Sequence, residues 1–296
     1  MTPPILAAYA PESGDRGPVD LAEAAARATG ARVVVIAAGK GGGTTADGVR
    51  EALRLQGDAE VRYVDHDSPA HAITAAVEEL QPGLVVIGST RRGRLGRVLA
   101  GGTAERVIHG CPAPVAVVPH GHQPPSSGLR TIGAAFQPTE EGRAALRVAA
   151  DLARATGAKL LATMVLDPKH AEDQAPGLLA GTTHDQSLSE NRHTRDRLVT
   201  QDALTAAIAE LAQGVETEPD VLYQDAVEGL DAASQRVDLL VIGPRAYGPR
   251  HMVMLGGVSH QLLSTAACPV LVLPRGMQEL ALVQAAAGRT PASSGP

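Results

Sequence analysis

Short runs dominated by apolar residues punctuate the chain at residues 5–9, 32–37, 61–64, 84–87 and 115–118, and again at 131–136, 159–165, 218–222, 239–242 and 270–273. Most of these runs are rich in Val, Ile and Leu and lack polar alternation, the pattern of strands buried on both faces. Between them the pattern lengthens to a helical period. Residues 21–29 form an Ala-rich stretch stopped by Gly30, Ser68 and Pro69 supply the cap and first-turn signals for a helix to residue 80, and a short helix is predicted after Gly102. Strands alternating with helices in this way predict a parallel sheet covered on both faces.

The pattern is a repeat. Ala26-Arg27-Ala28-Thr29-Gly30-Ala31 recurs letter for letter as Ala153-Arg154-Ala155-Thr156-Gly157-Ala158, at an offset of 127. Further on, residues 84–119 align without a gap with 239–274 at an offset of 155, matching Gly88 with Gly243, Gly101-Gly102 with Gly256-Gly257, Pro114 with Pro269 and Pro119 with Pro274. The second copy therefore holds 28 more residues in its middle. Two tandem α/β domains follow, each a five-stranded parallel sheet flanked by helices: 1–119 and 129–275, joined by a Pro- and Ser-bearing linker at 120–128 and followed by a tail at 276–296 that its composition predicts to be frayed. The extra material, roughly 167–195, is polar and contains Pro168, Pro176, Gly177 and Gly181, which predicts a mobile loop leading into a helix from about residue 195 to 213.

Composition narrows the function classes. The chain has 296 residues, 44% of them hydrophobic, enough for two ordinary domains, and a formal net charge of −6 gives no global attraction to nucleic acid or anionic membrane. Trp is absent and Phe136 is the one phenylalanine, too few rings for a base-stacking platform on single strands. The two cysteines, Cys111 and Cys268, form no CxxC pair and fall at non-equivalent places in the copies, so neither a disulfide framework nor a zinc site is indicated. Met1-Thr2-Pro3-Pro4-Ile5 is no signal sequence and no apolar run is long enough for a membrane span, so a cytoplasmic protein is expected.

In an open parallel sheet, ligands sit beyond the carboxyl ends of the strands, where the connections diverge. Gly88 and Gly243 lie at such ends, and Gly101-Gly102 and Gly256-Gly257 then open short helices, presenting free N–H groups and a helix-dipole end to an anion. Phosphate is the predicted guest; the structural alternative is that these glycines only let a loop enter a helix close to the sheet.

Val86-Ile87-Gly88-Ser89 through Pro114-Val115-Ala116-Val117-Val118-Pro119, and Val241-Ile242-Gly243 through Cys268-Pro269-Val270-Leu271-Val272-Leu273-Pro274, resemble the C-terminal halves of universal stress protein domains. The resemblance implies two tandem Rossmann-like, adenine nucleotide α-hydrolase-like domains, with ATP as the ligand. Members that bind ATP show Gly, two residues, Gly, nine residues, Gly and then Ser or Thr. Here the second glycine is Arg91 and Ala246, the Ser/Thr position is Gly102 and Gly257, and the Asp that the family tends to place after the first strand is replaced by Ala10 and Gln137. The implied binding residues are Gly243, Arg245, Ala246, Gly256, Gly257, Val258 and Ser259 in the second domain, and Gly88, Arg91, Gly101, Gly102 and Thr103 in the first. The second domain is preferred, because Ala246 is small and Ser259 still offers a hydroxyl beside Gly257. Arg91, Arg92, Arg94 and Arg97, and Arg245 with Arg250, are either bidentate phosphate clamps or a solvated charged face.

Catalysis finds no constellation. Ser89 follows a strand-end glycine but lacks the G-x-S-x-G elbow, and His120 and His122 begin a linker, so neither a hydrolase triad nor a metal is expected. The leading expectation is a nucleotide-binding stress-response module with at most slow ATP hydrolysis. The alternative is a nucleotide-independent scaffold acting through pairing of its own domains, homo-oligomers or protein partners. An adenylating enzyme of the same superfold is the minority reading, since residues 9–14 lack its signatures.

Overall fold

The computed structural model describes residues 2–39, 44–55, 59–89, 102–125, 128–167, 186–244 and 251–287, with 186–196 and 286–287 described by backbone alone. The first domain runs β1 (Ile5–Tyr9), α1 (Gly17–Thr29), β2 (Val33–Gly39), α2 (Ala46–Ala52), β3 (Glu60–Asp65), α3 (Pro69–Leu80), β4 (Leu84–Gly88), α4 (Gly102–Ile108) and β5 (Val115–Val118). The second runs β6 (Thr131–Ala135), α5 (Glu140–Thr156), β7 (Lys159–Leu166), α6 (Gln186–Leu211), β8 (Thr217–Tyr223), α7 (Ala226–Ser234), β9 (Leu239–Ile242), α8 (Gly257–Thr265) and β10 (Val270–Val272), and α9 (Ala281–Ala287) follows it.

All ten described strands join one sheet in the order β3-β2-β1-β4-β5-β10-β9-β6-β7-β8. Each half is parallel, and the halves meet where β5 and β10 pair antiparallel, Leu271 opposite Ala116 and Val270 opposite Val117. The unbroken apolar runs have a direct cause: Ile5 and Ala7 face a core shared with α1, α5, α6 and α9, while Leu6 faces a second core shared with α3, α4 and α8. A strand with a core on each side cannot alternate with polar residues.

Helix ends follow their local chemistry. Ser68, Thr45 and Thr139 accept the N–H of His71, Gly48 and Gly142 as N-caps. The identical hexapeptides place Gly30 and Gly157 at left-handed C-caps, φ 63° and 71°.

Two expectations change. The helix of the insertion begins at Gln186 rather than near residue 195, while residues 168–185 lie outside the described set. The tail is not frayed along its whole length: Leu280 and Leu282 are each 2% exposed in the larger core, and Gln278 bonds Arg147 and Glu140 of α5. Two buried leucines outweigh the polar composition around them. No helix among the described residues is long and apolar enough to cross a membrane.

Candidate functional site

The strand order within each half places the divergence of connections beside β1 and β4 in the first domain and β6 and β9 in the second. In the first domain, the ends of β1, β2 and β4 and the starts of α3 and α4 enclose a cleft of about 370 Å³. Its space comes from small residues: Ala8 and Ala38 leave room between Ile36, Ile73 and Ile87. Thr103 and Ala104, at the start of α4, close one side.

The lip is polar and tightly tied. Asp15, whose side chain is 9% exposed, accepts from the Gly17 N–H at 3.0 Å through Oδ1 and from the Gly121 N–H at 3.2 Å through Oδ2, which also lies 3.0 Å from His120 Nδ1. Ser89 Oγ accepts the His120 N–H at 2.9 Å, and Ser13 Oγ donates to the Ala10 carbonyl at 2.9 Å. His120, the first residue of the linker, thus forms part of the wall of the first-domain cleft. Sequence reasoning passed over Asp15 and this role of His120. The available signal was Asp15 two residues before Gly17-Pro18, an Asx-type entry to a helix.

The second domain is built more tightly at the equivalent point. Its β6–α5 connection, 136–139, is shorter than the β1–α1 connection, 10–16. A Cβ on Gly243 would lie 2.7 Å from the Glu141 carbonyl, so the backbone of the first turn of α5 sits against the end of β9. In the first domain the neighbour of Gly88 is the Pro18 ring, 3.2 Å from such a Cβ. Gln137 turns its amide back to donate to the Val165 carbonyl at 3.2 Å.

Of the sequence-predicted residues, Gly88 and Thr103 line the first-domain cleft and Gly102 opens α4. Gly243 follows β9, Gly256 is the N-cap of α8 with no side chain to bond the first turn, and Gly257, Val258 and Ser259 form that turn, Val258 being 40% exposed. Arg91, Gly101, Arg245 and Ala246 lie outside the described residues, as do Arg92, Arg94, Arg97 and Arg250. The segment entering α8 is anchored on both domains: Val253 N–H donates to the Cys111 carbonyl at 2.9 Å, Gly110 N–H to the Val253 carbonyl at 3.0 Å, and His251 N–H to the Arg275 carbonyl at 2.7 Å.

The titratable chemistry is quiet. Burial raises the Cys111 thiol and pushes Cys268 up to about 12, which keeps both thiols protonated near neutrality. Burial lowers the imidazole of His122, against the pull of Asp238 and Asp15. No cluster of three or more potential metal ligands occurs among the described residues. The arrangement suits binding of a partly apolar molecule with a polar end.

Comparison with known proteins gives this architecture a lineage. The chain is 29% identical over 238 residues to universal stress proteins of Mycobacterium tuberculosis and Mycobacterium bovis, a match that covers 76% of this chain and 76% of theirs. A crystal structure of a universal stress protein from Archaeoglobus fulgidus, 15% identical, superposes with a TM-score of 0.59 over 93% of this chain and 100% of its own. A functionally unknown protein from Pseudomonas aeruginosa PAO1, 19% identical, gives 0.69 over 97% of this chain and 98% of its own. These two likenesses bear on the fold. The family model of the Universal stress protein family matches residues 1–119 and 128–274, and the chain belongs to that family, carrying its domain twice in tandem.

Proposed function

We propose that the chain is an adenine-nucleotide-responsive binding module, and that the first-domain cleft is its binding site, with the base in the apolar slot over Ala8 and Ala38. The observation that carries this reading is the cleft itself: about 370 Å³, at the divergence point of a Rossmann-like sheet, apolar in its depth and polar at its lip. This departs from the preference for the second domain drawn from the loop sequences alone. Gly102 and Thr103 would face the phosphate end from the start of α4. The second domain then serves mainly as a structural partner, a reading supported by the Glu141 backbone against Gly243 and the inward turn of Gln137.

The test is thermal unfolding with ATP, ADP and AMP, comparing the native chain with Ala8→Leu and its repeat equivalent Ala135→Leu. A nucleotide at a hundred times its Kd stabilises the folded state by about 2.7 kcal/mol. Native protein and Ala135→Leu should show that rise and Ala8→Leu should not. The reverse pattern would move the site to the second domain, and no shift at millimolar nucleotide in the native chain would sink the nucleotide reading.

A further inference from the structure

Between α1 and α5, on the pseudo-two-fold axis that relates the domains, lies a chamber of about 40 Å³ with wholly apolar exposed walls. The walls come in repeat-matched pairs: Ala28 with Ala155, Thr29 with Thr156, and Ala116 with Leu271, the last pair directly opposed across the β5–β10 seam. Leu280, just before α9, and Leu282, in its first turn, close it.

The hexapeptide that the two halves share letter for letter supplies Ala28 and Thr29, Ala155 and Thr156. Helix termination accounts for Gly30 and Gly157, which adopt the left-handed conformation. It does not require Ala at 28 and 155, where a longer apolar side chain would fill the space and bury more surface. The halves differ at their strand-end clefts and at the Ala116–Leu271 and Ala25–Leu152 positions of this wall, yet keep Ala28 with Ala155 and Thr29 with Thr156.

The chamber also exposes no polar surface to a water. The Thr29 and Thr156 hydroxyls spend their protons on the Ala25 and Leu152 carbonyls of their own helices, each at 2.8 Å. A water needs about 10–15 Å³ and two or more polar partners. The room is present and the partners are lacking, which favours an apolar occupant.

We propose that this chamber is a binding site for one small nonpolar molecule of a few heavy atoms, walled by both domains and covered by the segment leading into α9. Such a ligand touches both halves and the tail at once, and its binding strengthens their association. The site is separate from the nucleotide cleft and stands or falls independently of it.

The test is a xenon titration of the full chain, followed by the methyl NMR signals of Leu271, Leu280 and Leu282. Saturable shifts at these methyls are expected, with Val107 and Ile108 on the opposite sheet face unmoved. Ala28→Val and Ala155→Val fill the chamber from opposite walls; each should weaken the xenon response at least about fivefold while the Tm holds or rises by about 1–3 °C. Leu282→Ala, which enlarges the chamber, should increase xenon occupancy. Absence of a saturable shift in the native chain overturns the proposal, as do shifts that survive both filling substitutions, or filling variants that are destabilised and leave the native response without a site.

Discussion

Single atoms decide which glycines report on fold and which on ligand. A Cβ at Gly142 would lie 2.2 Å from the Gln137 carbonyl, a contact with backbone that cannot move aside, so Gly142→Ala should cost about 3 kcal/mol in denaturant unfolding. At Gly256 and Gly257 no neighbouring atom of the described residues lies within 4 Å of where a Cβ would stand, so Gly257→Ala should leave stability within about 0.5 kcal/mol. With the nucleotide in the first-domain cleft, Gly257→Ala should also leave the nucleotide response unchanged, and a loss of response in this variant would move the site to the second domain. His122 sets a pH signature. Burial holds its folded pKa below the unfolded value near 6.5, so the unfolded chain takes up the proton first; stability is intact above that value and falls as pH drops below it. His122→Asn should flatten the stability profile between about pH 7 and pH 5, and an unchanged slope would reject this assignment.

At the scale of elements, the strands were the most legible part of the sequence, because burial on both faces leaves unbroken apolar runs such as 84–87 and 239–242. The Ser68 cap was legible for the same local reason that makes it work. What escaped lacked a local signal. α2 is short and carries one fully buried side chain, Val49, and α6 starts in a polar stretch with no apolar period. The C-terminal segment hides two decisive leucines, Leu280 just before α9 and Leu282 within it, in a low-complexity terminus. The cleft was legible only in its location: Gly88 and Gly243 mark equivalent strand ends, while the difference between them arises from connection length and from Pro18 and Glu141, which no glycine pattern encodes. Removing residues 276–296 should cost about 1–3 kcal/mol, measured by urea unfolding, because it uncovers the part of the larger core that Leu280 and Leu282 fill. A truncated chain as stable as the full one would show that the tail contributes no net packing.

At the scale of the molecule, the sheet has two outer strands, and both carry groups that discourage further pairing. β3 presents Glu60, Arg62 and Asp65, with Arg62 held between Glu60 and Glu79, and β8 contains Pro219 flanked by Glu218 and Asp220. The inner strands β5 and β10, buried along their length, are hidden at the seam. In an assembly of two identical chains, every substitution is inherited by both sides of such a seam, and a change that spoils one binding crevice spoils its mirror image. Covalent fusion removes that constraint. One half can accept a shortened turn, a Gln137 folded inward and a helix pressed onto its strand end, yet still present the strand its neighbour needs. The β5–β10 seam thus lets the two halves specialise apart: one is free to keep a ligand while the other keeps the shape.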